Sequence, residues 1–180
     1  MSNKIITYSK QFIDPLDPDK DTILLEDIAH SLARICRANG QLPIFYSVGS
    51  HSICCCREAM ARGYSNKLCL ALLMHDASES YLADIVRPVK RSLTKYLEIE
   101  KKMQDTIYEK FVGEITEEDR KIISEIDDAM LYLEFYTLAG EEVCEKKPLT
   151  AEHKLGECDF NEVQAEFIAL YNELKNKKED

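Results

Sequence analysis

The chain has 180 residues, 45% of them hydrophobic, and its 33 acidic residues outnumber its 23 basic residues to give a net charge of -10. This length predicts one domain with a substantial core, because two full domains would need a longer chain. The acidic balance, without a stripe of Lys and Arg, argues against binding to a nucleic-acid polymer. An anionic small molecule would need a local site built from a metal ion or a few placed cations.

The first residues, MSNKIITYSK, lack the apolar segment of a secretion signal, and no stretch approaches the roughly 18 apolar residues that a membrane span needs. The seven cysteines therefore predict reduced thiols in a cytoplasmic protein. Cys54, Cys55 and Cys56 are consecutive, and consecutive helical residues point about 100° apart, so all three cannot ligate one ion. Burial as small hydrophobic side chains is the favoured interpretation.

The first half of the chain predicts an extended lead-in followed by three helices. Residues 1–22 form the lead-in, because prolines and aspartates interrupt FIDPLDPDKDT, while Phe12, Ile13 and Leu16 are expected to pack against the body. Apolar spacing predicts a helix through LLEDIAHSLARICRANG that ends at Gly40. The next helix begins near residues 47–50 and ends at Gly63, and a nearly continuous apolar helix covers residues 66–79.

The second half predicts three further helices. The segment SLTKYLEIEKKMQDTIYEKFVG places six large apolar residues on one helix face: Leu93, Leu97, Met103, Ile107, Tyr108 and Phe111. Thr116 and Asp119 form a capping-box variant that opens a long helix, and a final helix covers residues 160–174. Residues 141–158 are predicted to form a loop and residues 175–180 a frayed tail. No alternating strand pattern is evident. The fold is therefore predicted to be all-α, a single domain with about six or more helices around residues 66–79.

Residues 72–84, LLMHDASESYLAD, carry several ionisable groups at the end of an apolar segment. Burial of His75 and Asp76 there would cost several kcal/mol unless another group compensated their charges. A divalent transition-metal ion is such a partner, since it accepts imidazole and carboxylate ligands. A lone helical histidine is more often structural, so His30 is interpreted as an interior residue, and His153 as an exposed loop residue.

Two ligands are too few for a metal site, so further ligands must come from elsewhere in the chain. His51 and one aspartate of EIDDAM would complete a His, His, Asp, Asp set from three helices, with open positions for water and substrate. One divalent ion, Mn, Co, Fe, Ni or Zn, fits such mixed nitrogen and oxygen ligands. Glu79, one turn beyond the His-Asp pair, could act as a general base, and Asp84 follows where the helix ends. A solvated helix end is the alternative reading of both carboxylates.

The H...HD...D pattern of His51, the pair His75-Asp76 and an aspartate about fifty residues later resembles that of the HD-domain metal-dependent phosphohydrolases, an all-helical superfamily. Further segments are similar in order and spacing to a small single-domain branch that includes bacterial 5'-deoxynucleotidases and phage-type deoxyadenosine triphosphohydrolases. They are FIDPLDP, LEDIAHSLARICRANG, FYSVGSHS, LLMHDASESYLADIVRPVK and DDAMLYLE. The resemblance covers about residues 12–138, and HDASE followed by Asp84 is its most specific part.

The resemblance implies a metal-ligand set within this chain. Asp127 is preferred to Asp128 as the fourth ligand, because the run to Glu134 and Leu138 then keeps the register of the branch. The four implied ligands are His51, His75, Asp76 and Asp127.

The resemblance also implies roles for residues that contact substrate and water. Glu79 matches the residue that holds the attacking water, and Asp84 the residue that orients or protonates the leaving group. Arg37 matches an arginine that contacts phosphate and sugar, and Lys90 is suited to phosphate. Ala38 stands where relatives often have Trp or Phe, so base and sugar selectivity stay open.

The function implied is hydrolysis of the 5'-phosphate ester of a 2'-deoxynucleotide, either a monophosphate or a triphosphate. A phosphodiesterase of a signalling nucleotide is an alternative, disfavoured because no additional His-Asp pair offers ligands for a second metal ion. A non-catalytic nucleotide-sensing module is another, disfavoured because Glu79 and Asp84 accompany the full ligand set. Since small HD relatives self-associate, a homo-oligomer, a dimer or larger, is expected.

Overall fold

The computed structural model describes residues 3–177, and in this part of the chain one small hairpin precedes eight α-helices. The predicted all-α fold is therefore confirmed. The strands are β1 (Ile5–Ile6) and β2 (Phe12–Ile13), and the helices are α1 (Leu25–Leu32), α2 (Val48–Ala61), α3 (Asn66–Leu73), α4 (Glu79–Leu82), α5 (Arg87–Lys90), α6 (Thr94–Phe111), α7 (Glu117–Ala139) and α8 (Phe160–Asn176). None of the helices within residues 3–177 is both long enough and apolar enough to cross a bilayer.

Helix α3 lies at the centre of the core, as the apolar sequence predicts. It is buried throughout residues 68–73 and packs against α2, α7 and α8. The helix ends at Leu73 rather than at residue 79, so that part of the prediction was wrong. Residues 74–78 form turns instead, and these turns present His75 and Asp76 beside the core rather than along a helix face.

The close packing of α2 depends on Gly49, two residues before His51. A Cβ atom at Gly49 would lie 3.0 Å from Cγ1 of Val163 in α8 and 3.1 Å from the backbone nitrogen of Ala33. Because backbone and a packed side chain surround this position, a larger residue would push α2 away from its neighbours. Gly49 thus allows the start of α2, and with it His51, to sit deep in the fold.

The first helix is shorter than predicted, and the difference repositions Arg37. Helix α1 ends at Leu32 rather than Gly40, and Cys36 instead forms an isolated antiparallel bridge with Ser47. The backbone N–H of Arg37 donates to the carbonyl of Tyr46 at 2.8 Å. Ala38 then has a φ of +54°, which a helix would not allow. This turn buries the Arg37 side chain instead of leaving it on a helix surface.

The expected burial of the apolar lead-in residues was wrong for two of the three. Ile13 is buried, as predicted, but Phe12 is 60% exposed and Leu16 is 55% exposed. Strand alternation explains why Ile13 is buried and Phe12 is exposed, since adjacent residues of β2 point to opposite faces. Leu93 and Leu97 are each 38% exposed because the chain before and at the start of α6 extends beyond the core. The short hairpin itself was not predicted, because two-residue strands are too brief to show alternation.

The polar termini of the chain are described in part. Helix α8 continues to Asn176, so the tail predicted to fray from residue 175 begins as helix. Residues 178–180 of that tail, and residues 1–2 of the lead-in, lie outside the described residues.

Residues 141–158 form a loop, as predicted, and a buried carboxylate fixes this loop to α2. Glu58 accepts hydrogen bonds from the backbone N–H groups of Thr150 at 2.8 Å and Ala151 at 3.0 Å. Nε of Arg62 donates to it at 2.8 Å, and Nε2 of His153 lies 3.1 Å from it. The His153 side chain is only 2% exposed, so the prediction of an exposed histidine was wrong.

Replacing Glu58 by Gln is expected to lower the free energy of unfolding by about 2 to 3 kcal/mol near neutral pH, because an amide cannot carry the charge that these donors surround. Burial raises the pKa of Glu58, but the hydrogen bonds from Ala151, Arg62 and the other donors outweigh it and bring the pKa from 4.5 to about 2. The lowered folded-state pKa means that this stability is present above pH 4.5 and is lost as the pH falls towards 2.

Urea unfolding of both proteins between about pH 7 and pH 2.5 measures the effect. The control is Glu125→Gln, because Glu125 is an exposed partner of the same Arg62 at 2.9 Å and should contribute less than about 1 kcal/mol. A loss in Glu58→Gln that stayed constant across this pH range would contradict the assignment.

Candidate functional site

Two histidine rings face each other beside the core, and their outer hydrogen bonds set which nitrogen carries the proton. Nδ1 of His51 lies 2.7 Å from Oε1 of Glu134, and Nδ1 of His75 lies 2.6 Å from the carbonyl oxygen of Leu72. Since both partners can only accept, each Nδ1–H donates, and each neutral ring is left with a lone pair on Nε2. The two Nε2 atoms are 3.2 Å apart. Two lone pairs at this distance repel unless a proton or a cation lies between them.

Three of the four distances between donor atoms around the two rings fall in the range expected for ligands of one metal ion, and the fourth, from Nε2 of His51 to Asp76, is slightly longer. Two ligand atoms bound at about 2.0–2.1 Å, with an angle of about 90–110° between them, stand about 2.9–3.4 Å apart. Nε2 of His51 lies 3.2 Å from Oδ1 of Asp127 and 3.7 Å from Oδ2 of Asp76, while Nε2 of His75 lies 3.4 Å from the same Asp76 oxygen. The structure therefore brings the four residues of the predicted ligand set together, and their donor chemistry suits a divalent ion.

The middle cysteine of the Cys54–Cys56 run also reaches this region. His51, Cys55 and His75 form a cluster that could hold a metal ion, since their ligand atoms all lie within 4.8 Å of one another. The three cysteines are buried, as predicted, but their contact with the cluster was not foreseen. Sγ of Cys55 is 3.5 Å from Nε2 and 3.9 Å from Nδ1 of His51. A sulfur almost equidistant from both nitrogens lies beside the ring, so it must rotate to join an ion on the Nε2 lone-pair axis.

Arg37 and Glu134 complete the buried network behind the cluster. The guanidinium of Arg37 donates from Nε to Glu134 at 3.3 Å, from Nη1 to Asp76 at 3.3 Å and from Nη2 to Asp127 at 3.5 Å. Glu134, whose side chain is fully buried, thus bonds both Arg37 and His51. A carboxylate that orients a metal-binding imidazole is a recurring feature of metal sites. Sequence reasoning missed this role of Glu134, although its position two helical turns after Asp127 places it on the same face of α7.

The network lowers the pKa values of both aspartates in the predicted ligand set. Burial raises the pKa of Asp76, but His75 and Arg37 outweigh burial and leave the pKa below its usual value. Burial likewise opposes ionisation of Asp127, yet His51 holds its pKa well below the usual value. Both carboxylates are therefore charged at neutral pH, the form that binds a cation.

The same network raises the pKa of His51. Burial and Arg37 lower its pKa, but the acidic groups of Cys55, Glu134 and Asp127 outweigh them and raise the net pKa well above its ordinary value. The acidic groups thus favour positive charge beside His51, and either a proton or a metal cation can supply it.

The neighbouring aspartates Asp127 and Asp128 have different partners. Asp128 accepts from Nη1 of Arg87 at 2.6 Å and from Nζ of Lys147 at 2.9 Å. Asp128 thus pairs with two cations and has no described bond to either histidine, whereas Asp127 pairs with His51 and also with Arg87. Of the two alternatives that the sequence left open, this geometry favours Asp127 as the ligand.

A cavity of about 530 Å³ opens beside the cluster. Six of the eight predicted site residues line it, and His51 and His75 are not part of this lining: the six are Arg37, Asp76, Glu79, Asp84, Lys90 and Asp127. Oδ2 of Asp84 accepts from the backbone N–H of Ala38 at 3.2 Å, which fixes this carboxylate at the cavity edge. Nζ of Lys90 bonds Glu100 at 2.7 Å and lies 3.5 Å from Oε1 of Glu79. The cavity therefore combines cations and carboxylates within reach of the proposed ligands.

Glu79 has a raised pKa, in contrast to the lowered pKa values of Asp76 and Asp127. Its side chain is buried, and its Oε2 atom has no hydrogen-bond partner among the described residues. Burial, and then the negative charges of Asp76 and Asp84, raise its pKa well above 4.5. Glu79 can thus take up a proton under conditions in which Asp76 and Asp127 stay ionised. This difference separates a proton-transfer group from the proposed ligands.

Comparison with known proteins identifies relatives but no activity. No family model matches the chain. The chain is similar to the uncharacterized protein YfdR of Escherichia coli K12, with 41% identity over 93 residues, which are 52% of this chain and 49% of YfdR. It is also similar to an uncharacterized protein of Rhodobacter capsulatus, with 39% identity over 105 residues, which are 55% of this chain and 53% of that protein. The chain thus spans about half the length of the curated relatives it matches.

Proposed function

We propose that the protein is a metal-dependent phosphohydrolase of the HD-domain type that hydrolyses the 5'-phosphate ester of 2'-deoxynucleotides, either mono- or triphosphates. The observation that carries this proposal is the convergence of two imidazoles, each with Nδ1 bonded to an outer acceptor and Nε2 facing the other ring, on the carboxylates of Asp76 and Asp127. The resemblance to HD-domain enzymes in the order His51, His75-Asp76, Asp127 supports the same reaction class.

The ligands of the proposed site are His51, His75, Asp76 and Asp127. A divalent ion held there would act as a Lewis acid and lower the pKa of a water molecule towards about 7. Glu134 would keep the His51 ring in place, through the bond that it accepts from Nδ1. Arg37 fixes Asp76 and Asp127 in turn, and it also lines the cavity.

The other cavity residues would carry the reaction. Glu79 accepts a proton from the attacking water as a bond forms between the water oxygen and phosphorus and the bond from phosphorus to the 5'-oxygen breaks. Arg37 and Lys90 neutralise phosphoryl oxygens and hold the ester in line. Asp84, fixed by the N–H of Ala38, orients the departing 5'-oxygen, which takes up the proton that Glu79 removed from water and leaves as a hydroxyl group. Arg87 and Arg91 also line the cavity and add positive charge where a longer phosphate chain would extend.

A release assay tests this proposal directly. Protein stripped of metal with a chelator is reloaded separately with Mn, Co, Fe, Ni or Zn and incubated with each deoxy- and ribonucleotide as mono-, di- and triphosphate. We expect metal-dependent release of phosphate or triphosphate from deoxynucleotides, with activity lost on chelation and restored by reloading. Full activity in the stripped protein, or no release with any ion and any nucleotide, would contradict the proposal.

A further inference from the structure

We propose that the wall of the cavity formed by Leu131, Phe135 and Val143 is the binding site for the nucleobase of the substrate. This proposal rests on the proposed function for the position of the phosphate group. The evidence that this apolar wall binds the base is separate. The cavity of about 530 Å³ falls in the range typical of sites for organic ligands, larger than a phosphate group alone requires. Its remaining volume must therefore suit a larger, less polar group.

One face of helix α7 carries both the proposed metal ligand Asp127 and two residues of the apolar wall. Leu131 follows Asp127 by one helical turn and Phe135 by about two, so they stand about 6 Å and 12 Å further along the axis. Charged groups surround the Asp127 end, whereas apolar side chains line the other end. A phosphate ester bound near Asp127 would thus direct the rest of a nucleotide along α7 towards Phe135.

The cavity lining includes one small residue and one aromatic ring. Ala38 contributes a single methyl group to this lining, and its φ of +54° is held by the bond from its N–H to Asp84. Phe135 is the aromatic residue among the described residues that line the cavity. A base in this cavity can stack on the ring of Phe135, and the small side chain of Ala38 takes up little of the remaining space.

The loop that carries Val143 is held in place before any ligand binds. Sγ of Cys144 contacts the carbonyl oxygen of Asp128 at 3.7 Å, and Lys147 pairs with the Asp128 carboxylate at 2.9 Å. Val143 nevertheless remains 48% exposed. The loop therefore offers a fixed apolar surface whose burial by a base would be favourable.

The test compares two phosphate esters that differ in the base alone: 2'-deoxyadenosine 5'-monophosphate and 2-deoxyribose 5-phosphate. In Phe135→Ala the KM for the nucleotide is expected to rise about 5- to 100-fold, the usual effect of removing one stacking ring, with kcat changed little. The KM for the sugar phosphate should stay unchanged. Phe135→Leu should give an intermediate KM, because it keeps apolar area and loses the aromatic face.

Tyr136→Ala is the matched control. Tyr136 is the next residue, 54% exposed, and stacks on Tyr132 outside the cavity lining. It should leave both KM values unchanged. An equal rise for both esters in Phe135→Ala, or no rise for either, would overturn the proposal.

A binding measurement separates this proposal from the proposed function. Saturation-transfer NMR of 2'-deoxyadenosine 5'-monophosphate with the metal-loaded protein reports contact with the base protons without requiring turnover. If no phosphate is released but these signals appear and disappear in Phe135→Ala, the proposed function fails while the base site stands. If the base signals are absent in the unchanged protein, or persist at full strength in Phe135→Ala, the base site is wrong.

Discussion

Replacing Asp127 by Asn is expected to abolish metal-dependent turnover and to weaken metal binding by more than about 100-fold. Changes in residues that merely support a metal ligand typically cost 10- to 100-fold in affinity, so loss of a ligand should cost more. Asp127 is charged and lies 3.2 Å from Nε2 of His51, and the amide would place a neutral group there. Isothermal titration of the stripped protein with the ion that best supports turnover measures the affinity.

The neighbouring residue offers a matched control for this prediction. Asp128→Asn removes a carboxylate of the same helix turn that also pairs with Arg87, yet this carboxylate has no described bond to either histidine. We expect its metal affinity to change less than about 10-fold. Circular dichroism should show native helix content in both variants, so that misfolding does not mimic metal loss. Retained affinity in Asp127→Asn together with loss in Asp128→Asn would reverse the ligand assignment.

The helices were predictable where local signals repeat. Apolar spacing located most of α2, α6, α7 and α8, and the reciprocal bonds between Thr116 and Asp119 at 2.9 and 3.1 Å confirm the capping box. A cap is readable because it joins residues three positions apart. The end of α1 was not readable, since RANG has no proline, and the left-handed conformations of Ala38 and Asn39 depend on tertiary bonds such as that to Asp84.

The contacts of the site that join residues far apart in the sequence could not be predicted. His51, His75 and Asp76 stood out because burial of such groups demands compensation. Glu134 did not stand out, because nothing in the nearby sequence indicates that this glutamate of a long helix is buried. Its partner Arg37 lies 97 residues earlier in the chain. The bond between His153 and Glu58, which joins residues 95 positions apart, was missed for the same reason.

Replacing Glu79 by Gln is expected to lower kcat by about 100- to 10,000-fold, the range typical for loss of a general base, while leaving metal content unchanged. Gln has nearly the same shape, so the buried packing is kept, but its amide cannot accept a proton from water. Because no described hydrogen bond reaches Oε2 of Glu79, the exchange breaks little at that atom. Metal content measured by atomic absorption, alongside phosphate release, separates lost proton transfer from lost metal.

Glu100 provides the comparison that distinguishes chemistry from charge pairing. Glu79 and Glu100 both pair with Lys90, at 3.5 and 2.7 Å, but Glu79 lines the cavity of about 530 Å³ with Asp84 and Asp127, whereas Glu100 lines a separate cavity on the other side of Lys90. If Glu79 acts merely by holding Lys90, Glu100→Gln should reduce kcat at least as strongly, because its contact is the shorter one. If Glu79 accepts the proton, Glu100→Gln should change kcat less than about 10-fold and act mainly on KM through the phosphate contact of Lys90. Equal kcat losses in the two variants would therefore remove Glu79 from the chemical step and leave it a positioning residue for Lys90.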